Sequence, residues 1–268
     1  MFRNLARLFR YRGLIQSLVA RELKARYRGS VLGFFWSFIN PLLLLLVYSF
    51  VFTYVMTGAH DERIEPYALF MFCGILPWTW FSSSLAESSG ILISGGNLIK
   101  KVLFPAEILP IVGVLANMVH FLFGLPILAG FLLYYQRPLN MGELALFPLV
   151  VLVQLVLTLG FALILSALTV HFRDIRDILS NLLTFWFFAT PIIYPYFIFD
   201  GPGKEWQATL LKLNPFTHLA ITYQEILYFK GPVGHWKLLL ALGALSIAFF
   251  LVAYFVFDRL RDTFAEEV

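Results

Sequence analysis

The chain has 268 residues, 60% of them apolar and only 13% charged, with 20 Lys and Arg against 16 Asp and Glu. At a mean hydropathy of +0.80 there is too little polar side chain to coat a soluble particle, whose charged share is typically about 25%. That excludes a soluble enzyme, a disordered chain and a secreted disulfide scaffold, and the lone Cys73 permits no internal disulfide.

In chain order, residues 1–30 come first as a basic arm. Leu5, Leu8, Ile15, Leu18 and Val19 recur at helical spacing, while Arg3, Arg7, Arg10, Arg21, Lys24 and Arg28 repeat on another face. This predicts an amphipathic helix in the inner headgroup region, its cations against anionic lipid. A plain basic topology signal accounts for the same residues, and the two readings are compatible. No apolar h-region precedes the basic cluster, so no cleavable signal peptide is expected.

Residues 31–268 hold six apolar stretches, 32–56, 67–93, 108–135, 144–170, 178–199 and 238–257. Each is long enough to be read as a span of about 20 residues, so the fold class is an all-α polytopic membrane protein with six transmembrane helices. In the first span Phe34, Phe38, Tyr48 and Phe52 share one helical face, and Trp36, Phe50 and Tyr54 form a second stripe. Such rings stack on sugars, anchor a helix at the interface or pack against lipid, and spacing leaves all three open. Glu87 lies in a serine-rich part of the second span, either packed and hydrogen-bonded, on a substrate path, or wet beyond an early helix end. Asn117, His120 and Gln154 suit interhelical hydrogen bonds.

Pro191 and Pro195 break the fifth span near one end, since each removes an amide donor. Asn214-Pro215 then has the form of an N-cap followed by proline at the first helical position. Residues 215–228 place Phe216, Leu219, Tyr223 and Ile226 on one face. A helix of that length, about 21 Å, is too short for a core of about 30 Å, so a re-entrant or interfacial outer helix is expected.

Fourteen Lys and Arg fall in the arm, the second and fourth loops and the tail, against six on the other side. The excess predicts that both termini are cytoplasmic. Chemistry is sparse. Gly201-Pro202-Gly203-Lys204 lacks the first glycine and the Ser/Thr of a nucleotide-binding loop, and the five histidines are scattered. No catalytic residues, metal ligands or cofactor of the chain's own are expected.

Three stretches together resemble a known family. The run from Arg21 to Trp36, continuing into Asn40-Pro41-Leu42, is similar to the start of the membrane subunit of polysaccharide-exporting ABC-2 transporters. Asn97-Leu98-Ile99-Lys100-Lys101 with Phe104-Pro105 and Pro110 resembles that family's loop after the second span. Phe172 to Ile178 resembles its loop after the fourth, and Asn214-Pro215 the start of its outer helix. O-antigen exporters and the related teichoic-acid exporters are the nearest in wording.

The resemblance implies a homodimeric permease working with two copies of a separate ATP-binding subunit, which would hold ATP and Mg. It implies no nucleic-acid partner and an undecaprenyl-pyrophosphate-linked O-antigen as cargo, exported across the bacterial inner membrane. Residues 1–30 become a cytoplasmic interface helix and 31–268 an ABC-2 type transmembrane domain. Partner contacts would be Arg21, Lys24, Arg28, Asn97, Lys100, Lys101, Phe104, Pro105, Arg173, Asp174, Arg176 and Asp177. The substrate path would use Phe34, Trp36, Phe38, Tyr48, Phe52 and Glu87, and the outer gate Pro191, Pro195, Asn214 and Pro215. Other readings stay open: export of teichoic acid, capsule glycan, a drug or a lipid, and, in a different class, a stand-alone carrier or channel.

Overall fold

The computed structural model describes residues 10–55, 64–100, 104–137, 140–199 and 201–267, and all their side chains except those of Phe34, Phe52, Thr53, Ala265 and Glu266. Every regular element among the described residues is helical. The order is α1 (Arg12–Arg26), α2 (Trp36–Phe50), α3 (Tyr67–Ser94), the short α4 (Gly96–Ile99) and α5 (Ile108–Tyr134). Then follow the short α6 (Met141–Leu144), α7 (Phe147–His171), α8 (Ile175–Phe188), α9 (Glu205–Leu213), α10 (Pro215–Leu227), α11 (Trp236–Leu260) and the terminal turn α12 (Phe264–Glu267).

Four helical stretches are long and apolar enough to cross a membrane, those built on α3, α5, α7 and α11. The first and fifth expected spans are shorter than their apolar runs. α2 has 15 residues, with Val51–Val55 continuing it as a π-helical turn. α8 has 14 residues, about 21 Å, and stops before the proline break. In each segment the helix geometry changes inside the apolar run.

Lipid tails are as apolar as leucine, so helices associate there through close packing and hydrogen bonds. α3 is the centre: Phe70, Phe72, Trp80, Phe81 and Leu85 are each almost fully buried, and it packs between α5 and α7. Small residues set the closest approaches. A Cβ on Gly160 of α7 would lie 2.7 Å from the Phe249 ring of α11, so only glycine lets that aromatic seat. Gln154 of α7 ties the centre further, donating 2.8 Å to the Pro77 carbonyl of α3.

Beyond α8 the chain folds back. The Tyr67 hydroxyl donates to the Ile193 carbonyl, and Gln224 Nε2 donates 2.9 Å to the Pro191 carbonyl. α10 carries Phe216, Leu219, Tyr223 and Ile226 inward as its spacing predicts. It is also buried at Thr217, Ala220, Ile221, Thr222 and Gln224, so it lies within the bundle's packing, with no broad wet face. The one-sided pattern understated this because threonine, alanine and glutamine do not register as an apolar face.

Candidate functional site

A cavity of about 390 Å³ opens between α2, α3 and α5. That volume is in the range of small-ligand sites. Trp36, Phe72, Trp80 and Phe121 give it aromatic walls, and Ser37, Asn40, Thr79, Ser83, Asn117 and His120 supply neutral polar groups. Trp80 is fixed by its indole N–H, which donates 3.2 Å to the Val114 carbonyl, and it stacks on Phe121 with centroids 5.1 Å apart. Trp36 donates 3.0 Å to Ser30 Oγ. The walls are held rings, and the polar groups between them donate and accept.

One end of the cavity is made by the end of α1. The Arg26 guanidinium donates 2.9 Å to Asn117 Oδ1 and pairs with the Glu87 carboxylate. Asn117 Nδ2 donates 2.7 Å to that same carboxylate and 3.0 Å to the Gly113 carbonyl. The next residue, Tyr27, contacts His120 Nδ1 at 3.3 Å and accepts from Ser37 Oγ at 3.0 Å. Glu87 is thus paired and hydrogen-bonded, one helical turn past the cavity-lining Ser83.

Arg26 and Tyr27 were not singled out by sequence, yet a signal is present. Arg26 falls seven residues after Val19 and eleven after Ile15, so it is a cation continuing the arm's apolar face. That face turns inward: Leu18 is buried against Ile108 and Val112, with Ile15, Val19 and Phe104 beside it. Arg21, Lys24 and Arg28 point outward and are exposed.

A second layer gathers the loops assigned to the partner. Asn97 and Lys100 are exposed, as are Arg173, Asp174, Arg176 and Asp177, whereas Phe104 and Pro105 are half-buried. Phe104 packs in the cluster that holds Leu98 and Ile99 and also against the α1 cluster. The tail closes this layer from the other side, with Phe264 fully buried beside Phe257 and Thr263 within 3.4 Å of His171. Lys101 lies outside the described residues, as do Arg3, Leu5, Arg7 and Leu8.

The first-span aromatics separate. Phe38 packs on Phe123, centroids 5.0 Å apart, and Tyr48 packs against the main core, while Phe50 and Tyr54 are exposed. Of the four expected path residues whose side chains are described, Trp36 alone lines the cavity; the side chains of Phe34 and Phe52 lie outside the described ones. The uniform helical period assumed for 34–54 ends at Val51, where the π turn begins.

At the proline break, Pro191 and Pro195 are buried, and Asn214 is the knot that fixes them. Its Oδ1 caps α10 by accepting the Phe216 amide at 3.0 Å and accepts the Trp186 indole N–H at 2.7 Å. Its Nδ2 donates 3.2 Å to the Ala189 carbonyl and 2.9 Å to Thr190 Oγ1. Pro215 follows as the first helical residue. No group of three or more His, Cys, Asp or Glu placed to hold a metal occurs among the described residues.

Residues 13–228 match the sequence profile of the ABC-2 type transporter. The O-antigen export system permease protein RfbA of Myxococcus xanthus is 42% identical over 269 residues, covering 100% of both chains. A Klebsiella pneumoniae protein of the same name is 31% identical over 263 residues, covering 98% of this chain and 96% of its own. The polysialic acid transport protein KpsM of Escherichia coli is 25% identical over 220 residues, covering 79% and 80%.

Proposed function

Because this chain belongs to the ABC-2 type transporter family, we propose that it is the membrane-spanning subunit of an ATP-driven exporter of undecaprenyl-pyrophosphate-linked O-antigen polysaccharide. The observation that carries the reading is end-to-end correspondence at 42% identity with a protein named as an O-antigen export permease. Two copies would form the pathway in the bacterial inner membrane, each with six spans and both termini in the cytoplasm. α2 with its π turn, and α8 with the break after it, would supply the two spans that are not single long helices. Residues 191–228 would form the re-entrant outer gate, around Pro191, Pro195, Asn214 and Pro215.

In this reading ATP and Mg bind a separate pair of subunits, and this chain takes no cofactor. The exposed Lys100 and Asn97, the loop through Lys101 to Phe104 and Pro105, and the turn from Arg173 to Asp177 receive the push of the closing ATPase. Arg21, Lys24 and Arg28 extend that contact along α1. Sugar rings suit the cavity chemistry: flat aromatic walls stack on their C–H faces, and neutral amides and hydroxyls meet their hydroxyls. Arg26, already engaged with Glu87, leaves no free cation there to demand an anionic group.

The test is a deletion strain. Surface O-antigen should disappear, lipid-linked O-antigen should accumulate inside, and a plasmid copy should restore export. Normal surface O-antigen in the deletion strain refutes the reading. The more distant match to a polysialic acid transport protein favours capsule export as the second reading, and the same strain losing capsule while keeping O-antigen would establish it. In the complemented strain, Trp36→Ala should slow export more than it lowers membrane abundance, and an equal loss of both would assign Trp36 to packing.

A further inference from the structure

We propose that Arg26, Glu87 and Asn117 form a releasable latch through which movement of α1 reaches the cavity walls, with Arg26 as its positioning residue. The proposal rests on the exporter reading above and adds the residue that would couple partner to path.

The geometry is specific. Arg26 is the last residue of α1, and it bonds α3 through Glu87 and α5 through Asn117 together. Tyr27 adds His120, one turn further along α5, and Ser37 of α2. The end of α1 is therefore tied to all three helices that line the cavity. Glu87 follows the cavity residues Thr79 and Ser83 at helical spacing, so a shift of this junction displaces the wall itself. Toward its start, α1 rests on Ile108 and Val112, and Phe104 joins that contact to the loop facing the partner. The chain of contacts from loop to cavity is continuous.

The latch can open because its charges are neither fully buried nor fully wet. The side chains of Arg26 and Glu87 are 26% and 25% exposed. Removing one partner from a dry ion pair strands a charge, whereas fully exposed pairs hold little. Arg26 also has somewhere to go. Glu22, one turn back on α1, sits 3.7 Å from its Nε, so the guanidinium can keep a carboxylate while giving up Glu87. A state in which Arg26 holds both carboxylates and one in which it keeps Glu22 alone would make the two-state element that a coupling step requires.

The experiment uses the permease assembled with its ATP-binding subunit in lipid nanodiscs, in a Cys73→Ser background with Asn40→Cys as a reporter. Asn40 is exposed and lines the cavity. Maleimide labelling of the reporter is timed with and without ATP. The wild-type latch should give a nucleotide-dependent change in rate of at least about fivefold, the low end of ordinary coupling between sites. Arg26→Gln and Glu87→Gln should abolish that change while ATP hydrolysis continues, and the exchanged pair Arg26→Glu with Glu87→Arg should recover it.

An unchanged nucleotide response in Arg26→Gln overturns the latch. So does a wild type with no response, or an exchanged pair no better than the single variants. The labelling needs no glycan, so a wild-type complex that moves but exports no O-antigen refutes the exporter reading and leaves the latch standing.

Discussion

Asn214→Ala should loosen the fold-back after α8 far more than loss of one helix cap. The cap itself, from Oδ1 to the Phe216 amide, is worth about 1 kcal/mol. The change also orphans the Trp186 indole N–H and the Ala189 carbonyl, each costing roughly 1 kcal/mol at the low end for half-buried groups. Thr190 keeps its bond to the Trp186 carbonyl and adds nothing. The sum is about 3 kcal/mol, or roughly a hundredfold in the local opening equilibrium. Hydrogen exchange of nanodisc-embedded protein over 186–195 and 215–219 should accelerate accordingly, with the α7 and α11 peptides unchanged. Asn214→Asp keeps both acceptor roles and loses only the donors, so it should fall between, at about tenfold. Exchange in Asn214→Ala within about threefold of wild type refutes the reasoning.

Three further outcomes follow from other parts of the molecule. Gly160→Ala puts a methyl 2.7 Å from the Phe249 ring and should cost about 1–3 kcal/mol by overpacking. Gly130→Ala meets nothing within 4 Å and should be neutral or slightly stabilising, both read from thermal unfolding in one detergent. Lys100→Glu with Lys101→Glu should uncouple substrate-stimulated ATP hydrolysis with membrane abundance intact, and full stimulation in that variant removes the loop from the partner contact. The bond to its own amide and then that from the Gly203 amide, at 3.1 Å, hold the Glu205 carboxyl below the usual 4.5. A lowered carboxylate stabilises the fold above that value, and the gain is lost as pH falls through the lowered one. The start of α9 should therefore loosen only in acid below pH 4.5, and Glu205→Gln should abolish that dependence in exchange measurements.

The membrane class, most helix positions and the α10 cap were legible because each rests on local chemistry: apolar runs, prolines and an Asn-Pro pair. The cap shows how far that reaches. Asn-Pro announces a helix start, but nothing local announces that the same amide binds Trp186, Ala189 and Thr190, which come from the far side of a loop. The first span was legible in part. Phe50 and Tyr54 of one stripe are exposed while Phe38 and Tyr48 of the other pack inward. Spacing alone did not place Trp36, which lines the cavity, nor the π turn at Val51–Val55, where the helical period changes. Arg26 is legible from its place on the arm's apolar face. A cation on the apolar face of an amphipathic helix must either leave that face or find a carboxylate, and Glu87 was the lone acidic residue in the serine-rich span.

Scarce polar groups are placed at joints. Arg26, Glu87 and Asn117 join α1, α3 and α5, Gln154 joins α7 to α3, and Asn214 joins α8 to α10. The α7–α11 contact instead has glycines at its closest approaches, Gly160 against the Phe249 ring and Gly243 against Val153. The two kinds of contact respond differently to motion. A close-packed seam forfeits about a quarter to a half of its dispersion energy if it parts by roughly 0.5–1 Å, and in lipid no hydrophobic force draws it back. A hydrogen-bonded joint can give up one partner and keep another, as Arg26, which contacts both Glu87 and Glu22, can. A chain that must move between two states would therefore keep α7 and α11 as a rigid pair and bend at α1 and at the fold-back after α8. In the proposed reading those joints adjoin the partner-facing layer and the outer segment, the two places where an exporter has to open.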